Sequence, residues 1–152
     1  MKLELPEIHW HGNRERLMAL HMFKGLLVTC GADMGNQEWI RLWRVTLSPF
    51  EITFVENVAS NHERTVNVVR FSQSGEFIAS GADDHCVMIL EKKLRPVFGE
   101  DSEVESWGPK RVLRGHINEI HDLAWIENDK FLASASMDAS VIIFNVESGK
   151  VI

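Results

Sequence analysis

A repeated set of three polar residues restricts the fold of this chain more than any other feature. In each copy a histidine is followed 18 residues later by a serine or threonine and 22 residues later by an aspartate. The copies are His62, Ser80 and Asp84; His116, Ser134 and Asp138; and, upstream, His11, Thr29 and Asp33. The upstream copy keeps the spacing, although the apolar residues of its first stretch stand at different distances from the histidine than in the other two copies. Repetition at a fixed period is typical of chains that stack one structural unit several times.

Each copy contains short stretches with two-residue alternation of apolar side chains, separated by turn residues, which predicts β-strands. In the middle copy we expect strands at residues 66–71, 77–81 and 86–91, and in the last copy a strand at residues 141–145. Weaker outer strands are expected at residues 51–55, 110–113 and 150–152. No segment carries an apolar stripe of helical period over three turns, so the sequence predicts an all-β fold.

The period of this repeat is longer than that of a common repeat built from β-strands. Successive histidines are 51 and 54 residues apart, whereas a standard WD40 unit has about 40–45 residues. The excess lies in two inserts, at residues 34–38 and 92–109. The second is expected to be a loop and holds the acidic residues Glu100, Asp101, Glu103 and Glu105.

The run from Leu113 to His116, followed by residues 132–136 and by Asp138, resembles the WD40 repeat signature. In that family each repeat is one four-stranded blade of a β-propeller. The closing Trp-Asp pair is altered here, since Trp43-Arg44, Leu90-Glu91 and Phe144-Asn145 stand in its place. The resemblance implies a WD40 β-propeller portion of about three four-stranded antiparallel blades, from a ring that normally has about seven.

The resemblance also divides the chain into blades. It implies a closing outer strand at residues 1–10, blade 1 at 11–58, blade 2 at 59–114 with the acidic insert at 92–109, and an incomplete blade 3 at 115–152. Because about three blades are present, we expect the chain to be the N-terminal part of a longer protein or a truncated product.

Longer stretches carry a narrower resemblance. Residues 65–72, 74–76, 79–81 and 83–84 are similar to the second blade of the WD40 subunits of chromatin assembly factor 1, and residues 110–116 and 132–138 to the third blade. The WD40 subunits of the HIR histone chaperone share much of this pattern. The acidic insert favours the first group, whose members carry an acidic loop at this place.

This resemblance implies a non-catalytic scaffold in the nucleus. Its implied role is to support replication-coupled deposition of histones H3 and H4, and its implied partners are those histones and the large subunit of chromatin assembly factor 1. One alternative is a HIR-type chaperone subunit that acts outside replication. Another is a generic WD40 adaptor, such as a substrate receptor of a ubiquitin ligase.

Composition and charge limit the remaining function classes. With 45% hydrophobic residues and a net charge of −6, the chain is too apolar for a disordered segment and lacks the basic field of a sequence-specific nucleic-acid-binding module. No apolar run approaches the ~18 residues of a membrane helix, so no membrane partner is expected. The two cysteines, Cys30 and Cys86, are too far apart for a disulfide framework to be expected.

The repeated His, Ser and Asp residues have the composition of a catalytic triad, but an enzyme needs one such set and not a copy in every repeat. We therefore predict no catalytic residue, and we expect the sets to be internal hydrogen-bond staples of the blades. A metal site would need three or four converging ligands. The candidates, His9 with His11 and His116 with Glu119 and His121, do not have the familiar spacing, so no metal or cofactor is expected.

The acidic insert is the candidate partner-binding element. Its carboxylates, Glu100, Asp101, Glu103 and Glu105, could attract a basic partner such as a histone, and otherwise form a solvated loop. Trp107 beside them, like Trp39, is a candidate interface anchor if it is exposed. Either indole could instead pack beneath its own loop.

Overall fold

A computed structural model describes residues 16–32, 39–96 and 103–152. These ranges contain eleven strands and no helix, so they include no helix that could cross a membrane. The strands are β1 Leu17–Phe23, β2 Leu26–Gly31, β3 Ile40–Leu47, β4 Phe50–Asn57, β5 Val66–Phe71, β6 Phe77–Ala82, β7 Val87–Pro96, β8 Glu103–Leu113, β9 Ile120–Ile126, β10 Phe131–Ser136 and β11 Val141–Asn145. The predicted all-β fold is confirmed.

The strands form three antiparallel sheets, each a meander in which every strand pairs with its neighbour in sequence. Blade 1 has the order β1-β2-β3-β4, blade 2 the order β5-β6-β7-β8, and blade 3 the strands β9, β10 and β11. Short turns make this possible. Lys24 and Gly25 both have positive φ angles, which is the backbone conformation that a tight two-residue hairpin requires.

The blades are held together by two apolar clusters, one on each face of blade 2. Val69 belongs to the cluster shared with blade 1, and its neighbour Val68 belongs to the cluster shared with blade 3. Adjacent residues of a strand point to opposite faces, so blade 2 is buried on both sides. Each such aliphatic side chain contributes about 1.5–3 kcal/mol when it is fully buried.

The outer hairpin of blade 2 differs from the expectation of a loop over residues 92–109. The ladder continues beyond the expected strand ends, with β7 reaching Pro96 and β8 beginning at Glu103. Lys92 pairs with Trp107 and Leu94 with Glu105 in this extension. The insert is therefore mostly a longer hairpin, whose residues 92–96 and 103–109 we call the arm.

The expected outer strand of blade 3 is present only in rudimentary form. Val151 makes an isolated antiparallel bridge to Phe144, and Asn145 donates its N–H to the Lys150 carbonyl at 2.8 Å. Two other sequence expectations, the closing strand at residues 1–10 and the insert at residues 34–38, lie outside the described residues.

Candidate protein-interaction surface

The polar set of blade 2 forms one connected chain of hydrogen bonds. His62 precedes β5, Ser80 lies in β6, and Asp84 lies in the turn between β6 and β7. The His62 ring joins Ser80 Oγ through Nε2 and Asp84 Oδ2 through Nδ1, each at 2.9 Å. Ser80 is completely buried and His62 nearly so. The ring therefore links the middle of the sheet to the turn at its end.

Blade 3 repeats this arrangement. His116 Nε2 lies 2.8 Å from Ser134 Oγ, and His116 Nδ1 lies 2.8 Å from Asp138 Oδ2. The Ser140 hydroxyl also donates to Asp138 Oδ1 at 2.5 Å. The structure thus brings both predicted sets together in the same geometry.

The two aspartates also hold main-chain N–H groups. Asp84 accepts from Glu63 and from Cys86, each at 3.1 Å. Asp138 accepts from Ile117 at 3.1 Å and from Ser140 at 2.9 Å. Each carboxylate therefore ties the segment before the first strand of its blade to the turn between the second and third strands.

These contacts change the acidity of both carboxyls. Burial alone would raise the pKa of Asp84, but the hydrogen bond and charge of His62 and the two N–H donors hold that pKa below its usual range. For Asp138 the Ser140 hydroxyl has the largest effect, and with His116 it lowers the pKa well below the usual value. Both groups are therefore carboxylates at neutral pH. Because Ser80 and Ser134 are buried, neither hydroxyl is open to a substrate.

Blade 1 shows one member of the upstream set. Thr29 is completely buried in β2, and its hydroxyl accepts the indole N–H of Trp43 at 2.9 Å. Trp43 holds the position of the closing tryptophan in the WD40 signature, so blade 1 uses an indole donor that blades 2 and 3 lack. His11 and Asp33 lie outside the described residues.

The arm carries the described part of the predicted acidic element. Glu105 is exposed and Glu103 is the first residue of β8, whereas Glu100 and Asp101 lie outside the described residues. Trp107 does not meet the condition of exposure set for an interface anchor, because only 3% of it is accessible. Its ring packs edge-on against Phe71 with centroids 5.9 Å apart. Trp39 is buried as well, and its indole donates to the His62 carbonyl at 3.1 Å.

Glu56 in β4 is a contact residue that the sequence did not reveal. Its carboxylate accepts the Trp107 N–H at 2.8 Å through Oε1 and the Ser106 hydroxyl at 2.9 Å through Oε2. The outer strands of blades 1 and 2 are joined by this side chain. An isolated glutamate in an exposed strand carries no sequence signal for such a role.

Blades 2 and 3 are joined by further polar contacts that sequence reasoning missed. Asn67 donates to the Ile120 carbonyl at 3.1 Å. Asp129 accepts the N–H groups of Gln73 and Ser74, at 2.7 and 3.1 Å. The available signal for Asp129 was its place in a turn, where aspartate caps N–H groups of its own chain segment. Here it caps those of the neighbouring blade.

Metal-binding geometry is missing from the described ranges, which contain no group of three or more His, Cys, Asp and Glu side chains suited to an ion. His121 Nε2 lies 3.7 Å from Glu119 Oε2. The third candidate ligand, His116, has both ring nitrogens engaged by Ser134 and Asp138. Both cysteines are free and buried. Burial raises the pKa of Cys30 to about 12.

Comparison with known families agrees with a fold of three antiparallel sheets. The profile of the CAF1B/HIR1 beta-propeller domain matches residues 1–152. The chain belongs to this family. The predicted partial WD40 β-propeller is thereby confirmed.

Similar proteins come from both branches of the family. The B subunit of chromatin assembly factor 1 from Gallus gallus is 33% identical over 99% of this chain, and that of Mus musculus is 32% identical over 99%. Protein HIR1 of Kluyveromyces lactis is 36% identical over 94% of the chain. The chain spans 29%, 28% and 19% of the lengths of these relatives.

Proposed function

We propose that this chain serves as a non-catalytic scaffold in a histone chaperone. The match of a CAF1B/HIR1 beta-propeller domain to the whole chain carries the proposal. The geometry supports a structural role for the polar sets. Their hydroxyls are buried, their histidines are occupied at both ring nitrogens, and the set occurs once in each of blades 2 and 3.

Within this function we favour a role like that of chromatin assembly factor 1. The chain would then act in the nucleus, support replication-coupled deposition of histones H3 and H4, and bind the large subunit of that complex. The similarity to the chromatin assembly factor 1 protein of Gallus gallus over 99% of the chain supports this assignment. The similarity to HIR1 of Kluyveromyces lactis favours the alternative, a HIR-type subunit that acts outside replication.

We also propose that the acidic residues 100, 101, 103 and 105 attract the basic partner. Opposite charges raise association rates more than they raise final affinity. Such an attraction is screened over about 10 Å at moderate salt. The contribution of these residues should therefore be largest at low ionic strength.

The test is an affinity capture of the tagged chain from nuclear extract, with partners identified by mass spectrometry at two salt concentrations. Recovery of histones H3 and H4 with the large subunit of chromatin assembly factor 1 would support the favoured assignment. Recovery of other HIR complex subunits would support the alternative. A chain that circular dichroism shows to be folded, and that recovers none of these proteins, would overturn the proposal.

A matched variant tests the acidic residues. Glu100→Gln, Asp101→Asn, Glu103→Gln and Glu105→Gln together remove four charges with little change in shape. We expect slower association with a histone H3–H4 complex at low salt and no difference at high salt. An association rate equal to that of the unchanged chain at low salt would contradict the role of these residues.

A further inference from the structure

Each blade ends in an outer strand, and the far edge of such a strand can present unpaired main-chain N–H and C=O groups to other chains. In this chain the outer edges differ. The edge of blade 2 is blocked at two positions of β8, because Glu56 accepts the outward N–H of Trp107 and Pro109 has no N–H. In blade 3 the edge of β11 is covered, since Ile152 donates to the Ile143 carbonyl at 2.9 Å.

The outer edge of β4 in blade 1 is open. Val45 donates its N–H to the Gly25 carbonyl at 2.8 Å, on the side away from β4. The residue opposite Val45 in β4 is Ile52. In an antiparallel ladder, two opposite residues either both direct their N–H and C=O groups into the space between the strands or both direct them away from it. Ile52 therefore directs its N–H and C=O away from β3. Phe54 has the same orientation, and within the described ranges no group bonds to either residue on this side.

The side chains along this edge indicate what kind of chain it could accept. Phe50 and Phe54 are 58% and 52% exposed, so the strand offers apolar surface beside its free main-chain groups. Both charged side chains of β4 are carboxylates, Glu51 and Glu56. Glu56 is occupied by Trp107 and Ser106, which leaves Glu51 exposed and without an ion pair among the described residues.

The arm of blade 2 carries charges of both signs, with Glu103 and Glu105 in β8 and Lys92, Lys93 and Arg95 in β7. Glu105 is exposed and lies opposite Leu94, which is also exposed. Glu56 fixes the position of the arm, since it joins β4 to the adjacent residues Ser106 and Trp107. On the same sheet, Arg44 lies in β3, one strand further in, opposite Thr53.

We propose that the open edge of β4 accepts an extended segment of a partner protein as an added strand. Its apolar side chains would face Ile52 and Phe54, and its basic side chains would lie beside Glu51. Main-chain hydrogen bonds give such strand addition its affinity, and the alternate side chains give it specificity. The inference rests on the proposed scaffold function, because it assigns the place at which the scaffold holds a partner chain.

The edge can be tested with short fluorescein-labelled peptides of alternating lysine and isoleucine, by anisotropy against the whole chain. N-methylation of the isoleucines removes the N–H groups that would face Ile52 and Phe54, whereas N-methylation of the lysines removes those of the other edge. We expect the peptide with N-methylated lysines to bind like the unmodified peptide. The peptide with N-methylated isoleucines should bind at least about tenfold more weakly. Equal binding of the two methylated peptides would overturn the proposal.

Hydrogen exchange locates the bound peptide. We expect slower exchange within residues 50–57 on binding and no change within residues 103–113. Protection of residues 103–113 instead would overturn the assignment to β4. A peptide with glutamate in place of lysine should bind more weakly, and equal binding would contradict the proposed basic partner.

Protein variants give an independent comparison. Ile52→Pro removes one outward N–H without removing a ladder bond to β3, and it should weaken peptide binding about fivefold. Ile52→Ala keeps that N–H and is the matched control for the lost side chain. Equal weakening by both variants would contradict the main-chain contact. Failure of the folded, unchanged chain to capture histones or any of the chaperone subunits would overturn the proposed function, whereas the N-methyl comparison tests the edge alone.

Discussion

The ring of Phe23 occupies the space into which any side chain at position 75 would project. Phe23 ends β1 of blade 1, and Gly75 lies in the turn between β5 and β6 of blade 2. A Cβ atom built on Gly75 would overlap three carbon atoms of the ring. Gly75 also has a φ angle of +80°, in the left-handed region that favours glycine. The close contact between these two blades therefore depends on glycine for two reasons.

We expect Gly75→Ala to lower the free energy of unfolding by more than its backbone conformation alone would require. A left-handed residue with a Cβ costs about 1–2 kcal/mol, and the overlap with Phe23 adds to that cost. Gly149→Ala is the matched control, because its φ is +73° and its nearest neighbour is the flexible Arg111 side chain. Urea denaturation measures both variants, and equal losses would contradict a role for Phe23.

The repeat made the strands and the polar sets predictable from the sequence. The strand expected at residues 141–145 is β11, and the spacing of His116, Ser134 and Asp138 gave a set that lies within hydrogen-bond distance. These relations are local to one blade, where a fixed number of residues separates the positions. The sequence shows them because each blade repeats the pattern.

Relations between blades could not be predicted in this way. Glu56 and Trp107 are 51 residues apart in sequence and belong to different repeat units. Nothing in the local pattern says that the Glu56 carboxylate will meet an N–H group of the next sheet. The surroundings of Trp107 have both origins, because Lys92 of its own hairpin lies over the ring with Nζ 5.8 Å from the ring centroid, whereas Glu56 of blade 1 accepts its N–H.

The two His–Ser–Asp sets should each contribute to stability. Ser80→Ala and Ser134→Ala leave His62 and His116 with an unpaired buried ring nitrogen. Such a loss costs about 1–3 kcal/mol. Ser48→Ala, at an exposed serine with no described side-chain hydrogen bond, should change the free energy of unfolding by no more than about 0.5 kcal/mol. Chemical denaturation distinguishes the outcomes, and a Ser80→Ala chain as stable as the Ser48→Ala control would argue against the structural role.

Removal of the Glu56 side chain should loosen the junction of blades 1 and 2. Glu56→Ala leaves the Trp107 N–H and the Ser106 hydroxyl without their acceptor. Hydrogen bonds to charged groups contribute about 1.5–3 kcal/mol each, so the loss of both should cost at least that amount. Glu56→Gln keeps an acceptor oxygen and should lose less.

Hydrogen exchange supplies a local measurement for the same residue. The Trp107 amide should exchange faster in Glu56→Ala than in the unchanged chain. Glu51→Ala removes an exposed carboxylate from the same strand and serves as the control. If Glu51→Ala has as large an effect on the Trp107 amide, the contact at Glu56 does not protect that edge.

His21 should make the junction of blades 1 and 2 sensitive to acid. Its Nδ1 accepts the Phe71 N–H at 3.0 Å, which requires a neutral ring. Burial, and next the positive charge of Arg70, lower the pKa of His21 below its usual value. The unfolded chain, with a histidine pKa of about 6.5, therefore binds more protons. This contribution to stability is complete above about pH 6.5 and is lost as the pH falls through the lower pKa of the folded state.

The variant His21→Phe separates this effect from the other histidines. It leaves the Phe71 N–H without an acceptor and should lower the free energy of unfolding at pH 7.5 by about 1–3 kcal/mol. Its further loss between pH 7.5 and pH 5 should nevertheless be smaller than that of the unchanged chain. His121→Gln removes an exposed histidine that lies outside this junction and serves as the control. Urea denaturation across this pH range measures all three chains, and an unchanged slope in His21→Phe would show that the junction does not titrate through His21.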